Sequence, residues 1–239
     1  MTANDFLRNL LHSFGLDVKR VTPSARRRFM FLRNYGVNTV FDVGANTGQF
    51  ADEVKESLPD AWVYSFEPVA DVYQKLLLCR ASRYGKFKAF NLALGDADGE
   101  QTFFRNAFTQ SSSLLPLTKT QREVFPHTAE VKTQQVEVRR LDTLISEGAF
   151  PELTRNIALK MDVQGYEDRV LKGATSFLQN TKAVICEINF LRFYETQCFF
   201  AEVYDIMRSS GFLYMGSLFN YLNRYNGNPL FEDVLFVHS

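Results

Sequence analysis

One stretch of the chain, residues 39–50 with the sequence TVFDVGANTGQF, constrains the fold more than any other. Its first five residues are mostly apolar and rich in β-branched and aromatic side chains, which is typical of a strand buried on both faces. A segment from Gly44 to Gly48 follows, and the residues from Gln49 onward have the pattern of a helix. Glycine lets the backbone turn tightly and lets a ligand approach, and a helix N-terminus offers free N–H donors. The stretch therefore predicts a strand–loop–helix unit that binds a nucleotide-type ligand.

Composition places the chain among ordinary globular proteins. It has 239 residues, 46% of them hydrophobic and 23% charged, with 27 basic and 27 acidic side chains. The balanced charge argues against a nucleic-acid partner, and no apolar run reaches the roughly 18 residues that cross a bilayer. Residues 1–16 lack the features of a signal peptide. We therefore expect a cytoplasmic protein without a membrane span.

The three cysteines support the same expectation. Their odd number and wide spacing indicate a reducing compartment and give no metal-ligand pattern. No metal site is predicted. Cys79 and Cys186 stand in apolar runs, so we expect both to be buried.

The rest of the chain divides into an extension and one domain. Residues 1–37 predict a helical extension, with one helix over residues 6–14 and another from Pro23 to near Gly36. Residues 38–239 form the domain, in which strands alternate with helices, and this alternation predicts a parallel sheet covered by helices. The strands are expected at residues 39–43, 62–66, 87–94, 157–163, 183–188, 212–218 and 230–237. A short link joins the last two, so the final strand is predicted to run antiparallel to its neighbour.

An insertion interrupts the alternation. Residues 101–105 and 134–139 predict strands that pair with each other across residues 106–133. The intervening segment is rich in Ser, Thr and Gln, and a connection of this length is usually functional or disordered. We interpret it as a flap beside the binding site.

Polar residues follow the predicted strands at their carboxyl ends, which is where open α/β sheets bind ligands. These residues are Asp42 and Gly44, Glu67, residues 91–95, Asp162 and Gln164, and Glu187 and Asn189. Carboxylates at the ends of buried strands indicate a ligand that carries hydroxyl groups or positive charge.

The loop chemistry favours S-adenosylmethionine over a nicotinamide dinucleotide. Glu67 is placed to accept hydrogen bonds from ribose hydroxyls, which both ligands have. A dinucleotide site requires G-x-G-x-x-G, whereas here Gly44 and Gly48 enclose three residues and position 46 is Asn. Asp42 would oppose a pyrophosphate but suits the ammonium group of a methionine moiety, directly or through water.

Five segments in order, residues 41–50, 66–68, 91–96, 140–144 and 159–167, together resemble the FkbM family of S-adenosylmethionine-dependent methyltransferases. The resemblance extends from about residue 40 to about residue 216. It implies a class I methyltransferase fold, a doubly wound, Rossmann-like and mostly parallel seven-stranded sheet with an antiparallel last strand. It also implies O-methylation, commonly of sugar hydroxyls or polyketide-type natural products.

The same resemblance implies a cofactor site. Its methionine end would be lined by Asp42, Gly44, Asn46 and Gly48, its ribose held by Glu67, and its adenine placed near Ala93. The neighbouring motif residues Gln49, Phe50 and Pro68, together with Asp162, complete the predicted cofactor-binding set. One departure is Gln164, where the family usually has Glu.

Catalysis by methyl transfer to a hydroxyl needs a group that removes the hydroxyl proton. Asp162 is the first candidate, and its alternative role is to position the cofactor or cap a helix. Glu187 ends the neighbouring strand and would pair with Asp162, sharing a proton or a divalent cation, unless it is a structural carboxylate.

Of the three histidines, only His127 in the flap is expected to reach the acceptor. His238 ends an antiparallel strand at the opposite edge, and His12 belongs to the extension. The connection at residues 220–228 is expected at the active edge. Its polar and aromatic residues Tyr221, Asn223, Arg224, Tyr225 and Asn226 suit a sugar ring.

The leading interpretation is thus an O-methyltransferase for a sugar, a glycan or another polyhydroxylated small molecule. A nicotinamide-dependent oxidoreductase is the alternative from another class. A non-catalytic S-adenosylmethionine-binding protein is a third, and Gln164 is its only support. The acceptor is a small molecule or glycan in the leading case, with no nucleic-acid partner.

Overall fold

The computed structural model describes residues 28–238 except 82, 129 and 154. The first predicted helix and His12 lie outside the described residues. The second predicted helix is represented by a 3-10 helix, Met30–Tyr35, which ends at Gly36 in the left-handed conformation. Phe29 and Leu32 are buried in the same cluster as Val40. Residues 28–37 therefore pack directly on the domain.

The domain contains ten strands and seven α-helices within the described residues. The strands are β1 (Thr39–Val43), β2 (Trp62–Phe66), β3 (Phe87–Phe90), β4 (Ala93–Leu94), β5 (Gly99–Asn106), β6 (Val131–Arg139), β7 (Ile157–Met161), β8 (Thr181–Asn189), β9 (Phe212–Leu222) and β10 (Pro229–His238). The helices are α1 (Gln49–Ser57), α2 (Ala70–Arg80), α3 (Lys119–Val124), α4 (Leu141–Ser146), α5 (Glu167–Lys172), α6 (Thr175–Leu178) and α7 (Phe200–Ser209).

The main sheet has seven strands in the order β3-β2-β1-β7-β8-β10-β9. The neighbours from β3 to β8 are parallel, and β10 is antiparallel to both β8 and β9. The prediction of a mostly parallel, doubly wound sheet with an antiparallel last strand is confirmed. Every residue of β1 and β7 is buried, because helices cover both faces of these central strands. The strand order reverses between β1 and β7, which is where such sheets bind ligands.

The core lies on both faces of the sheet. On one face Phe41 packs against Phe150 and Phe177, with ring centroids 4.9 and 4.7 Å away. On the other face Val40 packs with Val54 of α1. Side chains alternate along a strand, so Asp42 lies on the same face as Val40. This placement matters for the site.

The predicted strand at residues 87–94 is wrong as a single element. It splits into β3, in the main sheet, and β4, in a second sheet of order β4-β6-β5. The cause lies at Asn91, whose side-chain amide donates to the carbonyls of Glu67 and Pro68, both at 3.0 Å. The predicted pairing across the insertion is confirmed, since β5 and β6 are antiparallel partners.

The flap is a packed segment. Two 3-10 turns, Thr109–Ser111 and Pro126–Thr128, and helix α3 lie within it. Leu115 and Leu117 are buried, and Leu117 forms a β-bridge with Tyr194. These contacts fix the flap over the carboxyl ends of the strands.

The prediction for the cysteines is half right. Cys186 is buried in β8, but Cys79 is exposed. Leu78 beside it is 76% exposed, so the last turn of α2 faces solvent although its sequence is apolar. Within the ranges described, none of the helices has the length and apolar character to span a bilayer.

Candidate functional site

A cavity of about 550 Å³ lies at the carboxyl ends of the parallel strands, beneath the flap. Its size is that of a small-molecule site. Most of the predicted site residues line it, namely Gly44, Asn46, Gln49, Phe50, Glu67, Pro68, Ala93, His127, Asp162 and Glu187. Asp42 and Gly48 are not among the lining residues.

The glycine loop is built from three left-handed residues. Gly44, Asn46 and Gly48 have φ angles of 79°, 48° and 92°. A Cβ atom on Gly44 would lie 2.0 Å from the backbone oxygen of Asp162, so only glycine lets the loop approach the end of β7. Gly48 is also required sterically, because a Cβ atom there would lie 2.8 Å from the Leu76 side chain.

Asn46 explains why the loop needs no central glycine. Asparagine tolerates the left-handed conformation better than most residues. Its side-chain oxygen accepts from the Thr47 N–H at 2.8 Å, and its Nδ2 donates to Thr109 Oγ1 at 2.9 Å. Asn46 therefore shapes the loop and joins it to the flap.

Glu67 is held in place by the backbone at the end of β2. Its Oε2 accepts from the Asn46 N–H at 3.0 Å, and its Oε1 accepts from the Val69 N–H at 2.8 Å. Burial raises the pKa of Glu67 to about 7, although these two N–H donors partly oppose the shift. Each oxygen keeps capacity for a further donor, so the carboxylate suits a ligand with hydroxyl groups.

Asp42 lies beneath the cavity wall and not on it, which corrects the prediction that it lines the methionine end. Its side chain is fully buried, on the face that Val40 occupies, and burial raises its pKa to about 6. Its Oδ1 makes no hydrogen bond to any part of the described chain, and Lys160 Nζ is 4.0 Å away.

Lys160 connects Asp42 to the cavity. Its Nζ lies 3.2 Å from Asp162 Oδ2. Burial disfavours its charge, but the carboxylates of Asp162 and Asp42 outweigh burial and raise the pKa of Lys160. Asp42 thus acts on the cavity through Lys160. Sequence reasoning missed this lysine, although a lysine inside an otherwise apolar buried strand was a readable signal.

Asp162 and Glu187 are brought together through the amide of Gln164. Its Nε2 donates to Asp162 Oδ1 at 2.8 Å and to Glu187 Oε1 at 2.7 Å. Its Oε1 accepts from the Tyr194 hydroxyl at 2.7 Å. Gln164 itself has a φ of 58°. A neutral amide therefore fills the space between the two carboxylates, with every group of the amide used.

The electrostatics of the pair are unequal. Burial raises the pKa of Glu187 well above its usual range, and the charges of Asp162 and Asp233 add to this. Asp162 instead has the Lys160 ammonium beside it. The raised pKa of Glu187 makes it a candidate proton acceptor.

His127 lies at the rim of the cavity, on the exposed side of the flap. Its ring centroid is 5.3 Å from that of Phe108 and 6.1 Å from that of Phe125. The structure therefore places His127 beside the site but separate from the carboxylate pair.

The turn between β9 and β10 lies farther from the site than the sequence indicated. Both strands extend beyond their predicted ends, so Tyr221 belongs to β9 and lines the cavity. Tyr225 is 82% exposed at the turn. The turn residues Asn223, Arg224 and Asn226 hydrogen-bond within the turn and do not line the cavity. No group of three or more His, Cys, Asp or Glu side chains suited to a metal is found within the described ranges.

Comparison with known proteins identifies the family. The protein-family model described as the methyltransferase FkbM domain matches residues 42–214 of the sequence. A curated relative, AMB antimetabolite synthetase AmbE of Pseudomonas aeruginosa PAO1, is 26% identical over 219 residues, covering 78% of this chain. The chain spans only 10% of that relative's length.

Solved structures share the fold. The O-methyltransferase TomG from Streptomyces achromogenes, determined in complex with S-adenosylmethionine, has a TM-score of 0.50 and 10% identity, with 100% of this chain and 91% of TomG covered. A putative O-methyltransferase from Klebsiella pneumoniae has a TM-score of 0.49 and 13% identity, with 98% and 89% covered. At 10% identity the likeness to TomG concerns the fold alone, and nothing is argued from the structure with the lower TM-score.

Proposed function

This chain belongs to the methyltransferase FkbM domain family, whose members depend on S-adenosylmethionine, and we propose that it methylates a hydroxyl oxygen of a sugar, glycan or other polyhydroxylated small molecule. The observation that carries the proposal is one cavity with two unlike ends. Along the sheet, Glu67 after β2 and the glycine loop after β1 form one end, Glu187 of β8 lies at the other, and Asp162 after β7 stands between them. A cofactor end and a proton-accepting end are what transfer of a methyl group to a hydroxyl requires.

The residues of the first end fit the cofactor. Glu67 offers a buried, backbone-held carboxylate to the ribose hydroxyls. Gln49, Phe50, Pro68 and Ala93 line the same cavity. The shape of the loop is set by Gly44, Asn46 and Gly48. Asp42 acts on the cavity indirectly, through its ion pair with Lys160. When bound, S-adenosylmethionine supplies an electrophilic methyl group on a positively charged sulfur.

The residues of the second end handle the proton. Glu187 is our candidate base in preference to Asp162, because Asp162 is already engaged by the Lys160 ammonium 3.2 Å away. With the cofactor bound, the Glu187 carboxylate would accept the proton of the acceptor hydroxyl as that oxygen takes the methyl group. Asp162 positions the cofactor and, through Gln164, the base. His127 is the rim candidate for contact with the acceptor.

The two alternatives are less well supported. Membership of a methyltransferase family decides against a nicotinamide-dependent oxidoreductase. The non-catalytic alternative rested on Gln164, but this residue hydrogen-bonds three side chains of the site. Gln164 is therefore part of the hydrogen-bond network of the site, and it gives the non-catalytic alternative no support.

Labelled S-adenosylmethionine, incubated with the protein and a panel of polyhydroxylated acceptors, tests the proposal. We expect label in a methoxy group of the product, and its loss in Glu187→Gln. Label on nitrogen or carbon would contradict O-methylation. Absence of transfer to any member of the panel would contradict the acceptor class.

A further inference from the structure

The acceptor end of the cavity has a floor made by three adjacent strands. Register places Glu187 of β8 opposite Asp233 of β10, which is opposite Phe219 of β9. The next row is Asn189, Phe231 and Tyr221. Opposed residues, and residues two apart along a strand, share a face of the sheet. All six line the cavity, and we call them the three-strand floor.

Asn189 shows that the three-strand floor is built for a ligand. Its side chain is only 4% exposed, yet it lines the cavity. Within the part of the chain that the structure describes, its amide makes no hydrogen bond. The amide is not among the fully enclosed polar atoms that lack a partner, so it is accessible from the cavity. The amide is therefore available to a bound molecule.

The three-strand floor carries two carboxyl groups, those of Glu187 and Asp233. Asp233 has neither an ion pair nor a hydrogen bond with the described residues; burial raises its pKa, while the charges of Lys160 and Arg28 act on it from a distance and partly oppose that shift. Lys160 lies 3.2 Å from Asp162, and Arg28 lies 3.7 Å from Glu53. An anionic acceptor would be repelled from this floor. A neutral hydroxyl would donate hydrogen bonds but would not neutralise the charge of the Asp233 carboxylate.

The remaining surface of the three-strand floor is aromatic. The rings of Tyr221 and Phe231 are stacked, with centroids 4.3 Å apart and planes 22° from parallel. Phe219 extends this surface at the rim, where the Arg28 guanidinium lies 4.7 Å above it. Aromatic faces attract cations and pack against the apolar face of a sugar ring.

We propose that the three-strand floor binds a protonated amine of the acceptor, so that the methylated hydroxyl belongs to an amine-bearing ring compound such as an aminosugar. The ammonium lies against Asp233 and Glu187, Asn189 bonds a neighbouring hydroxyl, and the ring packs on Tyr221 and Phe231. This inference rests on the proposed function and names its acceptor class.

Matched amine and acetamide pairs test the inference by calorimetry on protein saturated with S-adenosylhomocysteine. The pairs are glucosamine with N-acetylglucosamine and galactosamine with N-acetylgalactosamine, since acetylation replaces the charged amine by a larger, neutral amide. We expect each free amine to bind at least tenfold more tightly than its acetylated partner. In Asp233→Asn the preference falls to within about twofold, because the charge that recognises the ammonium is gone.

Glu232→Gln is the matched control. Glu232 is adjacent to Asp233 in β10, faces the other side of the sheet and does not line the cavity. The Glu232→Gln variant should keep the tenfold preference for the free amine over its acetylated partner. Equal binding of both members of a pair, an unchanged preference in Asp233→Asn, or no binding by any of the four sugars overturns the inference. Failure of the wild-type protein to bind S-adenosylhomocysteine would instead count against the proposed function.

Discussion

The two ends of the cavity are constructed differently. The cofactor end is made by backbone: three left-handed residues between β1 and α1, and a glutamate held by two backbone N–H groups. The acceptor end is made by side chains: the amide of Gln164 joins Asp162 to Glu187 of β8, and residues of β10 and β9 extend the surface beside Glu187. A backbone site tolerates few substitutions but is readable as a local motif. A side-chain site is readable only once the strand register is known, and single substitutions can retune it.

The largest effect is expected at the backbone end. Gly44→Ala places a Cβ atom 2.0 Å from the Asp162 carbonyl oxygen, so the loop must move. We expect a loss of unfolding free energy of about 3 kcal/mol and loss of measurable S-adenosylhomocysteine binding, by chemical denaturation and calorimetry.

Gly148→Ala separates the clash from the backbone strain. Gly148 has a similar φ of 75°, but a Cβ atom there would meet nothing within 4 Å. Gly148→Ala should lower the free energy of unfolding by only about 1–2 kcal/mol and leave S-adenosylhomocysteine binding intact. Equal effects of the two substitutions would contradict the claim that the loop is pressed against β7.

The next effect is expected at the side-chain end. Gln164→Glu introduces a third carboxylate where the amide now donates to Asp162 and Glu187 at 2.8 and 2.7 Å. We expect turnover to fall by about a hundredfold at neutral pH, as happens when a key donor is removed. Divalent cations should restore part of it, because a cation can replace the lost donors between carboxylates.

Gln164→Met is the control, since it removes the donors without adding charge. Its turnover should fall too, but cations should have no effect on it. Wild-type turnover in Gln164→Glu without added cation would show that the amide does not organise the pair.

A pH effect should distinguish the ends. The pKa of Glu67 is about 7, and the ribose hydroxyls require its charged form. S-adenosylhomocysteine affinity should therefore rise by about tenfold between pH 6 and pH 8, and Glu67→Gln should flatten this dependence at a lower affinity. Calorimetry across this range provides the measurement. A flat profile in the wild type would exclude Glu67 as the titrating group.

The same group makes stability depend on pH in the opposite sense. The folded-state pKa of Glu67 is raised from 4.5, so its contribution is fully present below about pH 4.5 and is lost as pH rises through about 7. The cofactor offsets this loss. The thermal shift caused by S-adenosylhomocysteine should therefore grow from pH 6 to pH 8.

The smallest effect is expected where the cofactor end meets the flap. Thr109→Val removes the acceptor of the 2.9 Å bond from Asn46 Nδ2. One such hydrogen bond contributes about 0.5–1.5 kcal/mol, so we expect a two- to tenfold loss of S-adenosylhomocysteine affinity. Ser146→Ala, which removes a local bond on α4 far from the cavity, should have no effect. No change in Thr109→Val would show that the flap contributes nothing to the cofactor end.

The strand–loop–helix unit of the backbone end was predictable from the sequence for a physical reason. Residues that need positive φ, close approach and a strand-end carboxylate are neighbours in the chain, so Gly44, Asn46 and Gly48 carry their roles in a local pattern. The direction in which Asp42 points was not predictable. A strand buried on both faces lacks the polar alternation that assigns its residues to one face.

The acceptor end was only partly predictable. Asp162 and Glu187 were recognisable as strand-end carboxylates, but Asp233 and the three-strand floor depend on β10 lying between β8 and β9. No local pattern specifies that order. The split at Asn91 also has a tertiary cause, since its amide bonds the end of another strand.

The central claim is that one cavity binds the cofactor at Glu67 and removes the acceptor proton at Glu187. It is tested most directly by measuring S-adenosylhomocysteine affinity and single-turnover methyl transfer in Glu67→Ala and Glu187→Gln. We predict that Glu67→Ala weakens the affinity at least tenfold, whereas Glu187→Gln retains it and slows transfer by about 10²–10⁴-fold at saturating cofactor. Equal loss of affinity in both variants, or wild-type transfer in Glu187→Gln, would contradict the division of the cavity into these two ends.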